Sequence, residues 1–193
     1  DDCIKFDKIE KMMKYFLSDK SIALVTSKRA LINEENKILP DFRATVAYCK
    51  KDAIFNEGSV VGKELLTSMC NFIGEPSTVL FRKCGLGEEN YFKAAYKGYR
   101  RISDIVMWLD LLKYGKFVYL ADELSAFRIH RNQEQQQTKV IVEGAVEWYR
   151  LLYESYNEGF FIFKELYLTS LFRNSSYLVK SGSLESSIKT SLL

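Results

Sequence analysis

The chain has 193 residues, 47% of them apolar and 27% charged, which is the composition of a folded domain rather than of a disordered segment. Its 28 Lys and Arg against 25 Asp and Glu leave a net charge of +3, so it lacks the concentrated basic face expected of a nucleic-acid binder. No apolar run approaches the ~18 residues that a membrane-crossing helix needs. The four cysteines, Cys3, Cys49, Cys70 and Cys84, are too widely spaced for a zinc pair and too sparse for a secreted disulfide scaffold. Reduced thiols and a cytoplasmic location are the expectation. The opening Asp-Asp-Cys-Ile has neither an initiator Met nor a signal-peptide pattern, which predicts a piece of a longer protein.

From Phe6 to Leu17 the apolar residues Ile9, Met12, Met13 and Phe16 recur at helical spacing and predict one buried stripe. Ile22 to Thr26 is a short apolar strand, suited to a central parallel position covered on both faces. Residues 33–58 mix charge, one Pro and scattered apolar side chains, and predict only weak strand content. Ser59 stands where it would cap a helix carrying Leu65, Leu66 and Met69. Gly74-Glu75-Pro76-Ser77 predicts a turn, because Pro76 pushes Glu75 out of helical geometry, and Thr78 to Phe81 then reads as a strand.

Gly85 to Asn90 predicts a loop. Ser103 would cap a helix presenting Ile105, Trp108, Leu109 and Leu112, with Gly115 at its C-terminal cap. Lys116 to Leu120 and Ser125 to Ile129 read as two further strands. Alternating strands and helices argue for an α/β layer structure. After His130 the character changes: Thr138 to Tyr156 and Glu158 to Phe172 each carry an aromatic-rich helical stripe, and predict a hairpin of helices appended to the α/β part.

Few residues are placed for chemistry. Asp1 and Asp2 are adjacent carboxylates, the ligand type that hard cations such as Mg²⁺ or Mn²⁺ take together with substrate phosphates; the same pair is equally an ordinary polar terminus. Asp104, in the first turn of the Trp108 helix, is either an acid stabilised by the helix dipole or a general base aimed into a cleft. His130, the one histidine, follows a strand between Arg128 and Arg131, where open α/β sheets bind ligands. No G-x-S-x-G, P-loop or G-x-G-x-x-G is present.

The order of these features resembles the inverting family-2 glycosyltransferases. Asp1-Asp2-Cys-Ile-Lys-Phe-Asp-Lys8 followed by a strand is similar to the family's metal-binding aspartates and the short helix after them, which has a basic residue near its start. Asn71 to Arg82 resembles the turn and strand before the acceptor site. Ile102-Ser-Asp104 to Leu112 resembles the acid-bearing helix start, and Lys113 to His130 continues the pattern to its closing strand.

The resemblance covers residues 1–133. It implies the C-terminal half of a GT-A catalytic domain, a Rossmann-like layer structure, with the nucleotide-binding half lying ahead of Asp1 and residues 134–193 forming a helical extension. It further implies a divalent metal, Mn²⁺ or Mg²⁺, and a nucleotide-diphosphate sugar donor, UDP-linked by expectation. The acceptor would be a glycan or glycoprotein hydroxyl, and a homo-oligomer through the C-terminal helices is a further expectation. Position by position, Asp2 and His130 would hold the metal. Asp1 would bind the donor by contacting its ribose or assisting the metal, and His130 and Arg131 would meet the donor diphosphate. Asp104 would deprotonate the acceptor, and Glu75 and Trp108 would lie on the acceptor side. A non-catalytic glycosyltransferase-like assembly module is the competing expectation.

Overall fold

The structure is a computed structural model that describes residues 2–40, 48–83, 98–130, 138–158 and 164–180. In chain order its elements are β1 (Cys3–Ile4), α1 (Lys8–Ser18), β2 (Ile22–Ile32), β3 (Ile38–Leu39), β4 (Ala53–Phe55), α2 (Gly58–Ser68), β5 (Leu80–Phe81), α3 (Ser103–Leu112), β6 (Lys116–Arg128), α4 (Thr138–Asn157) and α5 (Lys164–Lys180). The architecture is mixed α/β, built on a six-stranded mixed sheet.

Two long strands form its spine. β2 and β6 run parallel along their whole length, with register shifts near Ser27, Lys28 and Arg29. The two outer edges of this pair are capped by short antiparallel pieces: β4 and β1 along β6, and β5 and β3 along β2. Short pieces leave little unpaired backbone in a row. The apolar run of β2 is explained by this central place, for its first six residues are all buried.

A large cluster packs α2, α3, Phe117 and Tyr119 around Trp108, while a smaller one joins Met12 and Phe16 of α1 to Val25, Val118 and Leu124 on the sheet. Leu151 and Leu152 of α4 belong to the larger cluster, and Tyr167 and Leu171 of α5 pack against it. The C-terminal helices therefore share the core of the α/β layer.

Several sequence expectations are corrected. The buried face of α1 is Lys8, Met12 and Phe16, an i, i+4 row, and Ile9 is 53% exposed. Ser59 lies inside α2, whose cap residue is Glu57, and Met69 ends that helix in the left-handed conformation with φ 52°. Ser103 is the first residue of α3 and Ile102 its cap, without a side-chain hydrogen bond.

Gly115 is not the cap of α3. A Cβ there would lie 2.4 Å from the Ser21 carbonyl oxygen and 2.9 Å from Ala23 Cβ, so close approach of two backbones explains the glycine. The two strands expected after it are one, β6, and the strand expected from Thr78 is only Leu80–Phe81. Glu158 is a turn residue after the first C-terminal helix, and the second is described from Lys164, with residues 159–163 outside the described residues. The loop expected over Gly85 to Asn90 lies outside the described residues, as do Phe160 and Phe163.

Candidate functional site

The turn over residues 71–78, laid across the sheet, organises the site. α3 leads directly into the start of β6, so its N-terminus lies toward the carboxyl ends of β2 and β6, the usual location of ligand crevices in open α/β sheets. Thr26 Oγ1 donates to the carbonyl of Ile73, and the Ser125 hydroxyl, from β6, lies 3.5 Å from Thr78 Oγ1. Both strands therefore hold the turn from below.

Asp104 joins one end of it. Its Oδ2 accepts a 2.9 Å hydrogen bond from Asn71 Nδ2, and its Oδ1 accepts the backbone N–H of Ile105 at 2.8 Å. Asn71 in turn accepts from the backbone N–H of Gly74 at 3.0 Å, which fixes the orientation of its amide. Burial pushes the Asp104 carboxyl up to about 6. The Ile105 N–H opposes that rise, the neighbouring Glu75 charge adds to it, and the Asn71 amide pulls it down again.

Glu75 is paired. Its Oε2 lies 2.9 Å from Nε of Arg29, a guanidinium only 3% exposed on β2 that also donates to the Asn71 carbonyl at 3.1 Å. A charged side chain inside an apolar strand needs such a partner. Trp108 is wholly buried, with Nε1 donating 3.0 Å to the carbonyl of Gly74. Both acceptor-side candidates thus hold the turn in position. Gly74, at φ 106°, is the one residue type that takes this backbone comfortably.

Asp2 joins the other end. The Ser77 hydroxyl donates to its Oδ2, and the backbone N–H of Arg128 donates to Oδ1 at 3.3 Å. Lys8, 2% exposed, donates from Nζ to the Ser77 carbonyl. Burial pushes that ammonium down to about 8, and the Asp2 charge works against the shift. His130 stands half-buried two residues beyond Arg128, just past the end of β6. Asp1 and Arg131 lie outside the described residues.

Among the described residues no three His, Cys, Asp or Glu side chains gather into a metal-binding group. The donor chemistry at Asp2 still suits a magnesium-type ion. Its half-buried carboxylate has two donors among the described residues for about four lone pairs, and such ions are commonly bound by one or two carboxylates plus waters and substrate phosphates.

Sequence reasoning did not single out Arg29, and it named Lys8, Asn71 and Ser77 only as parts of longer motifs, without these bonds. Arg29 had a signal: one guanidinium inside the run Ala-Leu-Val-Thr-Ser-Lys-Arg-Ala-Leu-Ile has to find an acid elsewhere in the chain. No protein-family model matches this chain, and no curated protein matches it.

Proposed function

We propose that the chain is the acceptor-side part of an inverting, metal-dependent glycosyltransferase of GT-A type, moving a sugar from a nucleotide-diphosphate donor to a hydroxyl of a glycan or glycoprotein. The reading is supported above all by one relationship: Asp2 and Asp104, far apart in the sequence, are bonded to the two ends of a single short turn.

Each residue then has a role it is chemically suited to. Asp104, with a carboxyl raised to about 6, is a stronger base than an ordinary aspartate, yet it is mostly ionised at neutral pH, as removal of an acceptor proton requires. Asp2 would hold the divalent ion with His130, Asp1 would contact the donor ribose or assist the metal, and Arg131 would meet the diphosphate. Bound there, the ion would neutralise the charge that develops on the departing nucleotide diphosphate. Asn71 and Ile105 orient the base, and Trp108 and Arg29 keep the turn beneath it in place.

The test is nucleotide release from a panel of UDP-sugars with Mn²⁺, with and without glycan acceptors, for the wild type and Asp104→Asn. Acceptor-dependent release that falls by roughly 10²- to 10⁴-fold in the variant, with donor binding retained, is the expected outcome. Unchanged turnover would remove Asp104 from the mechanism.

A second reading, a non-catalytic binding module, is favoured by a different observation: Asp104, Glu75 and Trp108 all make internal bonds that stabilise the turn. Absence of release under every condition would support it.

A further inference from the structure

A cavity of about 520 Å³ opens at the seam where α4 and α5 meet the end of α2 and the start of α3. That volume is in the range of small-molecule sites, as is its wall, largely apolar with a few converging polar groups. Ile102, Ile141 and Trp148 form the apolar side. Arg101 and Arg173 are also part of the lining, and no carboxylate stands among its described residues. Arg101 is held by Glu143 at 2.7 Å, while Arg173, exposed, gives one N–H to the Thr67 carbonyl and keeps its others for the cavity.

Two further observations point to a ligand. Asn174 is wholly buried on this wall; its Nδ2 donates 2.9 Å to the carbonyl of Ala145, while its Oδ1 has no hydrogen-bond partner among the described residues. A buried acceptor without a donor is uncommon and calls for an explanation. Gly144 sits in the interior of α4, where glycine is among the poorest helix formers. Among the described residues, a Cβ there would meet nothing closer than Arg101 Cβ at 3.7 Å, an ordinary contact, so their packing does not require the glycine. What it provides is clearance in the cavity.

We infer that this cavity binds a small organic anion carrying a flat apolar ring. The ring lies against Trp148 and Ile102 in the space left by Gly144, the acidic group meets Arg173, and a hydroxyl or amide N–H on the ligand satisfies Asn174. Asn71, which holds Asp104, forms part of the same wall, so the ligand would sit beside that network. The inference does not depend on glycosyl transfer.

The probes are 8-anilinonaphthalene-1-sulfonate, which has ring and anion, and uncharged N-phenyl-1-naphthylamine, both followed by fluorescence with the wild-type chain. Saturable one-to-one binding of the sulfonate, tighter than the neutral probe by roughly tenfold, is expected. Arg173→Gln, at an exposed position, should remove most of that preference, and Gly144→Leu should weaken both probes by roughly tenfold or more while the far-UV spectrum is kept. Equal affinity for the two probes, or an Arg173→Gln variant indistinguishable from wild type, would overturn the anion assignment. Unimpaired binding to folded Gly144→Leu would place the probes elsewhere and overturn the site. If Gly144→Leu does not fold, Gly144→Ala takes its place, with a smaller loss of affinity expected and an unchanged affinity counting against the site.

Discussion

Asn71 and Asp104 are joined by a 2.9 Å hydrogen bond in which the amide donates to the carboxylate, and this bond ties the start of α3 to the turn that Asp2 also holds. The amide favours the charged carboxylate and so lowers its pKa, whereas the Glu75 charge raises it. The two neighbours should therefore act in opposite directions on replacement. Asn71→Ala is expected to move the Asp104 titration above about 6, and Glu75→Gln to move it below. Carboxyl-carbon NMR of the two variants reads both shifts directly. Movement in the same direction would mean that these neighbours do not set the titration of Asp104.

The raised carboxyl also makes stability depend on pH. Asp104 has a folded value of about 6 against 3.8 for an unperturbed aspartate, so between these pH values the folded state binds more protons than the unfolded one. Stability attributable to this group is thus present at low pH and is lost as pH rises from about 4 to about 6. Asp104→Asn cannot titrate. Its stability relative to wild type should improve over that window, by up to about 3 kcal/mol at 1.36 kcal/mol per unit, whatever its offset from losing the Asn71 bond. Urea unfolding of both proteins at pH 4 and pH 7.5 measures the difference. A constant gap would show that the carboxyl titrates normally.

The elements carrying strong periodicity were legible in the sequence: Ile22 to Thr26 does lie in a central parallel strand, and Thr138 to Asn157 is a helix with Ala145, Leu152 and Ser155 buried. What was hidden depended on partners distant along the chain. Ile9 looks like core on spacing alone, yet buried Lys8 takes the inward position because the Ser77 carbonyl awaits it. Ser59 and Ser103 look like caps, but the capping positions fall one or two residues earlier, where no side chain bonds the helix end. Asp104 and Asp2 could be named from the sequence as candidates. Their attachment to opposite ends of one turn could not, since it runs through Asn71 and Ser77, residues of no particular distinction in the sequence.

The Arg29–Glu75 pair has a buried guanidinium as one member, and loss of one partner strands the other. Arg29→Met keeps the volume of the strand side chain but leaves Glu75 without its cation and the Asn71 carbonyl without that donor. Destabilisation of about 3–5 kcal/mol is expected, in line with broken buried pairs elsewhere. The double variant Arg29→Met, Glu75→Leu should recover a good part of it, because no uncompensated charge then remains. Denaturant midpoints of the single and double variants decide the matter. A single variant within about 1 kcal/mol of wild type would mean that the pair contributes no more than an exposed one.

Gly115 and Gly58 mark the point where the α3–β6 turn is pressed against both β2 and the start of α2. The Gly58 N–H donates to the Gly115 carbonyl at 3.1 Å, and the Lys116 N–H donates to the Ser21 carbonyl at 2.8 Å, so neither backbone can retreat without breaking a hydrogen bond. A Cβ on Gly115 would stand 2.4 Å from that same Ser21 oxygen, and one on Gly58 would stand 2.5 Å from the carbonyl oxygens of Leu112 and Gly115. Gly115→Ala and Gly58→Ala should each destabilise by about 3 kcal/mol or more, at the upper end of what overpacking does, since backbone rather than a flexible side chain must move. In a chain of this length that is a fall in Tm of roughly 6–12 °C. Gly144→Ala serves as the control, a helical glycine whose added Cβ would make only an ordinary 3.7 Å contact with Arg101 Cβ, so the same methyl group should raise Tm slightly. Calorimetry on the three variants would separate close approach from helix propensity, and a Gly115→Ala protein as stable as wild type would refute the contact between the α3–β6 turn and β2.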